Sequence, residues 1–406
     1  MVVHHHDTSC FAASGFDTTS IDPSPSSSQL PMLSIPIRNN NNLQYYGSVK
    51  IGSEGKNFNL VFDTGSDKLW VPSIECTSSV CKAHHRLDSS TFRPDMTHSS
   101  LSYGTGQVNT KNGFDSLVLS GKINSFPSSS PPDNVVSSSF GNHSTAAHHD
   151  EYPVSVATSM TTKPFVSLRD IDGIFGMSQS AKFSHQHPLY SMYLSNDTNK
   201  EGELNVGGVN IERSANGADQ PSSWHPTSTP DTWSLDLVDI KVGDERLGLC
   251  SPDDPCTGLI DSGSSMITGP PSDVGKLLEK IHPTCGASKD NTSPPVTLIF
   301  KNEAGREIEY PLTSRDYTID FRDTGECQTA IGPLNMGHKR WVIGDTFLRR
   351  YMGVFDQNHH RVGFLKSKHD NEDIGVVTRD CGGDQLLLAT QRTERIRRLG
   401  NYFLSN

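Results

Sequence analysis

Residues 61–72 read VFDTGSDKLWVP, and residues 259–270 read LIDSGSSMITGP. Each has two apolar residues, then Asp, a small hydroxyl residue, Gly and Ser. Each continues to an aliphatic residue and to a Pro nine positions after the Asp. Asp63 and Asp261 stand 198 residues apart. Asp and Gly are ordinary turn residues, so one such triplet alone reads as a strand-to-turn corner. A corner that recurs with its whole flanking register reads as an internal repeat, and a repeat constrains the fold. A second echo follows each copy: DGIFG ends at Gly176, and WVIGD carries Gly344. The chain is expected to form two related β-lobes, each presenting one Asp at a strand end.

The rest of the pattern agrees with a mainly β chain. MLSIPI, YYGSVKIG, NFNLVF and KLWVPS are short β-type runs broken by Asn, Gly and Ser. Helical spacing is scarce until PPSDVGKLLEKI, residues 270–281, with apolar residues at 274, 277, 278 and 281. Residues 1–32, rich in Ser, Thr, Pro and His, have little to bury and are expected to be disordered. A second biased tract begins near Asn124 and is expected to be a low-complexity insert over 124–162. The first lobe then spans 33–192 and the second 193–368. In the extension 369–406, QLLLATQRTERIRRLGNYF has the spacing of a basic amphipathic helix.

Bulk properties exclude several classes. The chain has 406 residues and a formal net charge of −11, which argues against nucleic acid as a partner. No apolar stretch reaches the length of a membrane span. There are 17 His residues, but no H-E-x-x-H, and the HHH and HHDE clusters lie in polar stretches, so no metal or cofactor is expected. No G-x-S-x-G or phosphate loop is present. Eight cysteines include two closely spaced pairs, Cys76–Cys81 and Cys250–Cys256, and no C-x-x-C. With sequons at Asn142, Asn196 and Asn291, they point to an oxidising, secretory route.

Two carboxylates brought to one interface have a definite chemistry. Like charges a few ångströms apart do not both ionise, so one keeps a proton and the pair titrates as a unit. The ionised member draws a proton from water, and the protonated member donates to a carbonyl oxygen. Thr64 and Ser262 can tie the two turns together through their hydroxyls. Ser66 and Ser264 can donate to their own Asp, and Gly65 and Gly263 let backbone N–H groups approach the carboxylates.

These motifs, with ECTSSVC, SSLSYGTG and WVIGDTFLRRYMGVFD, resemble the pepsin-like aspartic endopeptidases over roughly Leu33 to Lys368. The resemblance implies a bilobal acid-protease fold, with two β-barrel-like lobes and the cleft between them. It implies Asp63 and Asp261 as the catalytic pair, and a β-hairpin flap with Tyr103, Gly104 and Thr105 near Trp70. It implies disulfides Cys76–Cys81, Cys250–Cys256 and Cys285–Cys327, leaving Cys10 and Cys381 over. The implied activity is hydrolysis of peptide bonds flanked by hydrophobic residues in acid, with sensitivity to pepstatin-type inhibitors. A monomer in an acidic vacuolar or endosomal organelle, or secreted, is expected. The family's activation segment is basic, whereas residues 1–42 hold one Arg and no Lys, so an upstream signal and prosegment are expected in a longer transcript. Beyond Gly121 the likeness lapses, and the pocket wall that should follow is unassigned. The alternative is a catalytically inactive pepsin-like binding protein.

Overall fold

A computed structural model describes residues 32–103, 106–124, 146–163, 165, 168, 170–282, 293–321 and 326–369. The architecture is mainly β, as expected. One sheet carries the first half and reaches into the second. From its outer edge it runs Arg93–Tyr103, Gly106–Ser120, Ala146–Met160, Leu69–Pro72, Gly173–Gly176, Lys56–Asp63 and Gln44–Ile51. Gln44–Ile51 also pairs with Gly106–Ser120, which closes this part into a barrel-like lobe. A second sheet of eight strands builds the other lobe around Ser234–Val242, Cys256–Ile260 and Arg340–Ile343.

The internal repeat is visible as the same three-strand arrangement in both lobes. Lys56–Asp63 lies parallel to Gly173–Gly176, with Asp63 opposite Gly176, and Leu69–Pro72 is antiparallel on the far side of that strand. In the second lobe, Cys256–Ile260 lies parallel to Arg340–Ile343, and Ile267–Gly269 is antiparallel beyond it. This explains the second echo. Each apolar strand ends in a glycine because the Asp-bearing loop crosses directly over it. A methyl group on Gly176 would meet Lys68 N at 2.4 Å, and one on Gly344 would meet Ser264 O at 2.1 Å.

Between these halves, strands from both ends of the chain join in one sheet. Met32–Asn40 pairs with Gly202–Val206, which pairs with Leu189–Tyr193, and that strand pairs with Tyr351–Asp356. A cut between 192 and 193 therefore passes through the strand Leu189–Tyr193. The apolar residues of these strands form one continuous core, with Phe62, Phe175, Tyr190, Trp233 and Phe355 fully buried in it. Trp233, just ahead of Ser234–Val242, donates from Nε1 to Met177 O at 2.9 Å and so ties the lobes together. The helical spacing near 270 gives a helix over Pro271–Leu278, with Pro at its start and Val274 and Leu277 buried.

The insert expectation needs correction. From Ala146 the chain is a long strand, Ala146–Met160, antiparallel to Gly106–Ser120 and parallel to Leu69–Pro72. Its signal was the alternation of Tyr152, Val154 and Val156, all buried, masked by the preceding His-rich tract and by Pro153. Cys76–Cys81 and Cys250–Cys256 are disulfide-bonded. Cys327 is also in a disulfide, while Cys10, Cys285 and Cys381 lie outside the described residues. Asn196 is nearly buried, and Asn142, Asn291 and the C-terminal basic stretch lie outside the described residues.

Several of the described clustered histidines have protein partners. His359 meets Asp356 at 2.7 Å, and His360 meets Gln179 at 2.5 Å. His149 faces His187, Nε2 to Nε2, at 3.2 Å. His187 is 6% exposed, and burial, then His149, lower its pKa from 6.5 to about 4. Between those values the unfolded chain takes up a proton that the native ring resists, so stability falls as the pH drops through this window. The loss is about 3 kcal/mol, at roughly 1.4 kcal/mol per unit. His187→Phe should therefore lose about 3 kcal/mol less than the parent between pH 7 and 4 in urea unfolding. Equal losses in the two proteins would show that this ring is not the acid-sensitive element.

Candidate active site

Asp63 ends its strand at the interface of the lobes, and Asp261 directly follows the strand Cys256–Ile260. The two turns are locked by hydroxyls across 198 residues of sequence. Thr64 Oγ1 donates to Ile260 O at 2.8 Å and accepts from Ser262 N at 3.0 Å. Ser262 Oγ donates to Phe62 O at 2.6 Å and accepts from Thr64 N at 3.1 Å. Each hydroxyl thus satisfies one N–H and one C=O of the other lobe, all of them buried.

The carboxylates are held in matched fashion. Gly65 N donates to Asp63 Oδ1 at 2.9 Å, and Gly263 N to Asp261 Oδ1 at 2.9 Å. Ser66 Oγ donates to Asp63 Oδ2 at 2.5 Å, and Ser264 Oγ to Asp261 Oδ2 at 2.7 Å. The turns also cross. A methyl group on Gly65 would lie 2.5 Å from Asp261 Oδ1, and one on Gly263 would lie 2.4 Å from Asp63 Oδ1. No side chain fits at either position, so each carboxylate lies directly over the other lobe's glycine.

Asp63 is 5% exposed, and burial followed by the Asp261 charge holds its pKa well above the usual carboxylate range. The Ser66 and Gly65 hydrogen bonds pull the other way without cancelling this. Tyr103 ends the strand Arg93–Tyr103, and Gly104 and Thr105 lie outside the described residues. Trp70 Nε1 donates to Tyr103 Oη at 3.0 Å. Burial and then the nearby Asp63 raise the Tyr103 pKa, which keeps the phenol neutral.

Sequence reasoning missed two groups of residues here. One is a buried layer beneath the pair. Asp345 N donates to Ser264 O at 2.7 Å, and the Asp345 side chain is 2% exposed. Burial raises its pKa well above normal, against Arg349 and with help from Asp261 and Asp63. The buried Arg349 donates to Asn42 O at 2.7 Å. Asp345 was within a quoted motif, but nothing local marked it as buried. The other group is apolar and lies beyond the point where the sequence reading left off. Phe165, Leu168 and Ile174 pack with Trp70 and Tyr103 in one apolar cluster. Phe165 stands edge-on to Trp70, with ring centroids 5.7 Å apart. Its only signal was apolar residues scattered through an irregular segment ahead of DGIFG.

The eukaryotic aspartyl protease family model matches residues 44–125 and 150–367. The chain belongs to this family. It is 31% identical over 378 residues to cathepsin E-B of Xenopus laevis, covering 86% of the chain and 85% of the relative. It is 31% identical over 366 residues to cathepsin E of Rattus norvegicus, covering 81% of each. Plasmepsin VI of Plasmodium berghei (strain Anka) is 25% identical over 368 residues, 82% of the chain and 77% of the relative. The family match breaks between 125 and 150, so most of the biased tract is extra to the shared fold, whereas the strand behind it is not.

The hydroxyl lattice makes a direct prediction. Ser262→Ala leaves Phe62 O and Thr64 N unpaired in a buried site, costing about 1–3 kcal/mol. Calorimetry should show a melting temperature several degrees lower, while Ser262→Thr, which keeps the hydroxyl, should stay much closer to the parent. An unchanged midpoint in Ser262→Ala would mean the cross-lobe bonds contribute nothing net.

Proposed function

We propose that the chain is an aspartic endopeptidase that hydrolyses peptide bonds with a water activated between Asp63 and Asp261. The observation that carries this reading is the crossed geometry, in which two lobes hold two carboxylates over each other's glycines. The pair shares one proton because burial and mutual repulsion disfavour double ionisation. Its ionised oxygen takes a proton from water as that water attacks the scissile carbonyl carbon, and the shared proton moves to the carbonyl oxygen. Collapse of the tetrahedral intermediate returns a proton to the departing amine. Ser66, Ser264 and the two glycine N–H groups fix the carboxylates in place, so little rearrangement is needed as charge develops.

The raised Asp63 sets the direction of the pH dependence. As the pH rises through the pair's upper pKa the shared proton is lost, and with it the acid function, so activity belongs to acidic conditions. Tyr103 and Trp70 form the base of a flap that closes over bound peptide. The apolar cluster beside them favours hydrophobic side chains near the scissile bond. Pepstatin-type inhibitors are expected to occupy the same cleft. The disulfides favour an oxidising compartment, which fits a secretory or endosomal location.

The test is cleavage of a hydrophobic peptide at about pH 4 to 5, with and without pepstatin. Asp63→Asn and Asp261→Asn should each lower kcat/KM by at least about 10²–10⁴-fold with the fold retained. Activity that survives both substitutions would overturn the assignment. Tight pepstatin binding without turnover of any peptide in a library would favour the inactive binding protein instead.

A further inference from the structure

Phe165 lies between the strands Ala146–Met160 and Gly173–Gly176 and belongs to neither, so no sheet ladder holds it. Local turns give it one bond, Leu168 N to Phe165 O at 3.0 Å. The same carbonyl meets a second group from another part of the chain, His84 Nε2, at 3.2 Å. His84 is 8% exposed and stands on a rigid base. It follows the Cys76–Cys81 disulfide and the one-turn helix Ser79–Lys82, and its own N–H bonds Cys81 O at 3.2 Å. Its neighbour His85 is clamped to the buried Asp172 by its backbone N–H at 2.7 Å and its Nδ1 at 3.0 Å.

We propose that His84 is a positioning residue for the apolar side-chain pocket, holding the Phe165 carbonyl from behind so that the Phe165 ring stays edge-on to Trp70. This rests on the endopeptidase reading above and assigns a specificity determinant to that same cleft. A carbonyl only accepts, so Nε2 must carry the proton. Nδ1 is buried and has no hydrogen-bond partner among the described residues, as suits the lone-pair side of that tautomer. Burial lowers the His84 pKa, against the pull of Asp172 and of the Phe165 and Ile171 carbonyls. When the ring does become charged, Nε2 still bears its proton, so the same bond persists in acid. The imidazole therefore holds the pocket wall across the whole working range of the dyad. From Phe165 the effect reaches Trp70, and through the Trp70–Tyr103 bond it reaches the base of the flap.

The test compares His84→Phe, which fills the space without a donor, with His84→Gln, whose amide nitrogen can reach the same carbonyl. Two peptides differ only in carrying Phe or Ala on the amino side of the scissile bond. In His84→Phe, KM for the Phe peptide should rise about fivefold to tenfold, as for one lost hydrogen bond, with kcat nearly unchanged. KM for the Ala peptide should change much less, and His84→Gln should restore most of the difference. Affinities for two statine-containing inhibitors with the same side-chain difference, measured by calorimetry, give the same comparison without turnover. If nothing is cleaved but the inhibitor affinities split as stated, the catalytic reading fails and the positioning role stands. If His84→Phe melts lower yet keeps the parent's Phe-to-Ala ratio in KM and in affinity, the residue is merely structural and the proposal is overturned. Failure of the parent protein to distinguish the two inhibitors would overturn it as well.

Discussion

Everything at the centre of this molecule depends on two hydroxyl groups. Thr64 and Ser262 each reach across to the other lobe and take one carbonyl and one amide there. Those bonds set the distance between strand ends that arise 198 residues apart in sequence. The glycines beside them then allow the carboxylates to cross at close range. Remove the hydroxyls, and two like charges would gain most by separating. The lattice is what makes their proximity a property of the fold.

The repeat made this much legible from the sequence. It exposed Asp63 and Asp261, the supporting serines, and the matching glycines at 176 and 344, because each is needed at a fixed offset from a strand end. The two short disulfides were readable from spacing. The Tyr103–Trp70 contact needed the family resemblance. Asp345 and Arg349 were not legible, because their burial arises from packing between distant segments rather than from local periodicity. Ala146–Met160 was misread because composition outweighed a short period-2 alternation, and the strand's partners lie elsewhere in the chain. Phe165 was hidden for the opposite reason: it belongs to no strand, and one of the two groups at its carbonyl is a histidine 81 residues away.

The electrostatics divide the buried ionisable groups by chemistry. Near the cleft, burial and crowding push carboxyl groups upward, as at Asp63 and Asp345. In both lobes burial pushes imidazoles downward, as at His84, His187 and His225. Both shifts disfavour charge in a poorly solvated interior, yet they act in opposite senses as the medium acidifies. On the proposed mechanism acid supplies the proton that the carboxylate pair needs, and it also loads histidines whose native surroundings resist it. Function and stability are thus pulled in different directions by the same variable.

The sheet between the lobes bears on how the chain is made. The ladder around Asp63 draws on Gln44–Gly176 alone, so it can form while later residues are still being synthesised. The strands that join it to the rest, Tyr351–Asp356 and Arg361–Lys366, come near the end of the described chain. Asp63 therefore precedes its partner carboxylate by 198 residues of synthesis, while its own ladder needs no residue beyond Gly176. The crossed pair of carboxylates is complete only once the strands of the second lobe stand beside those of the first.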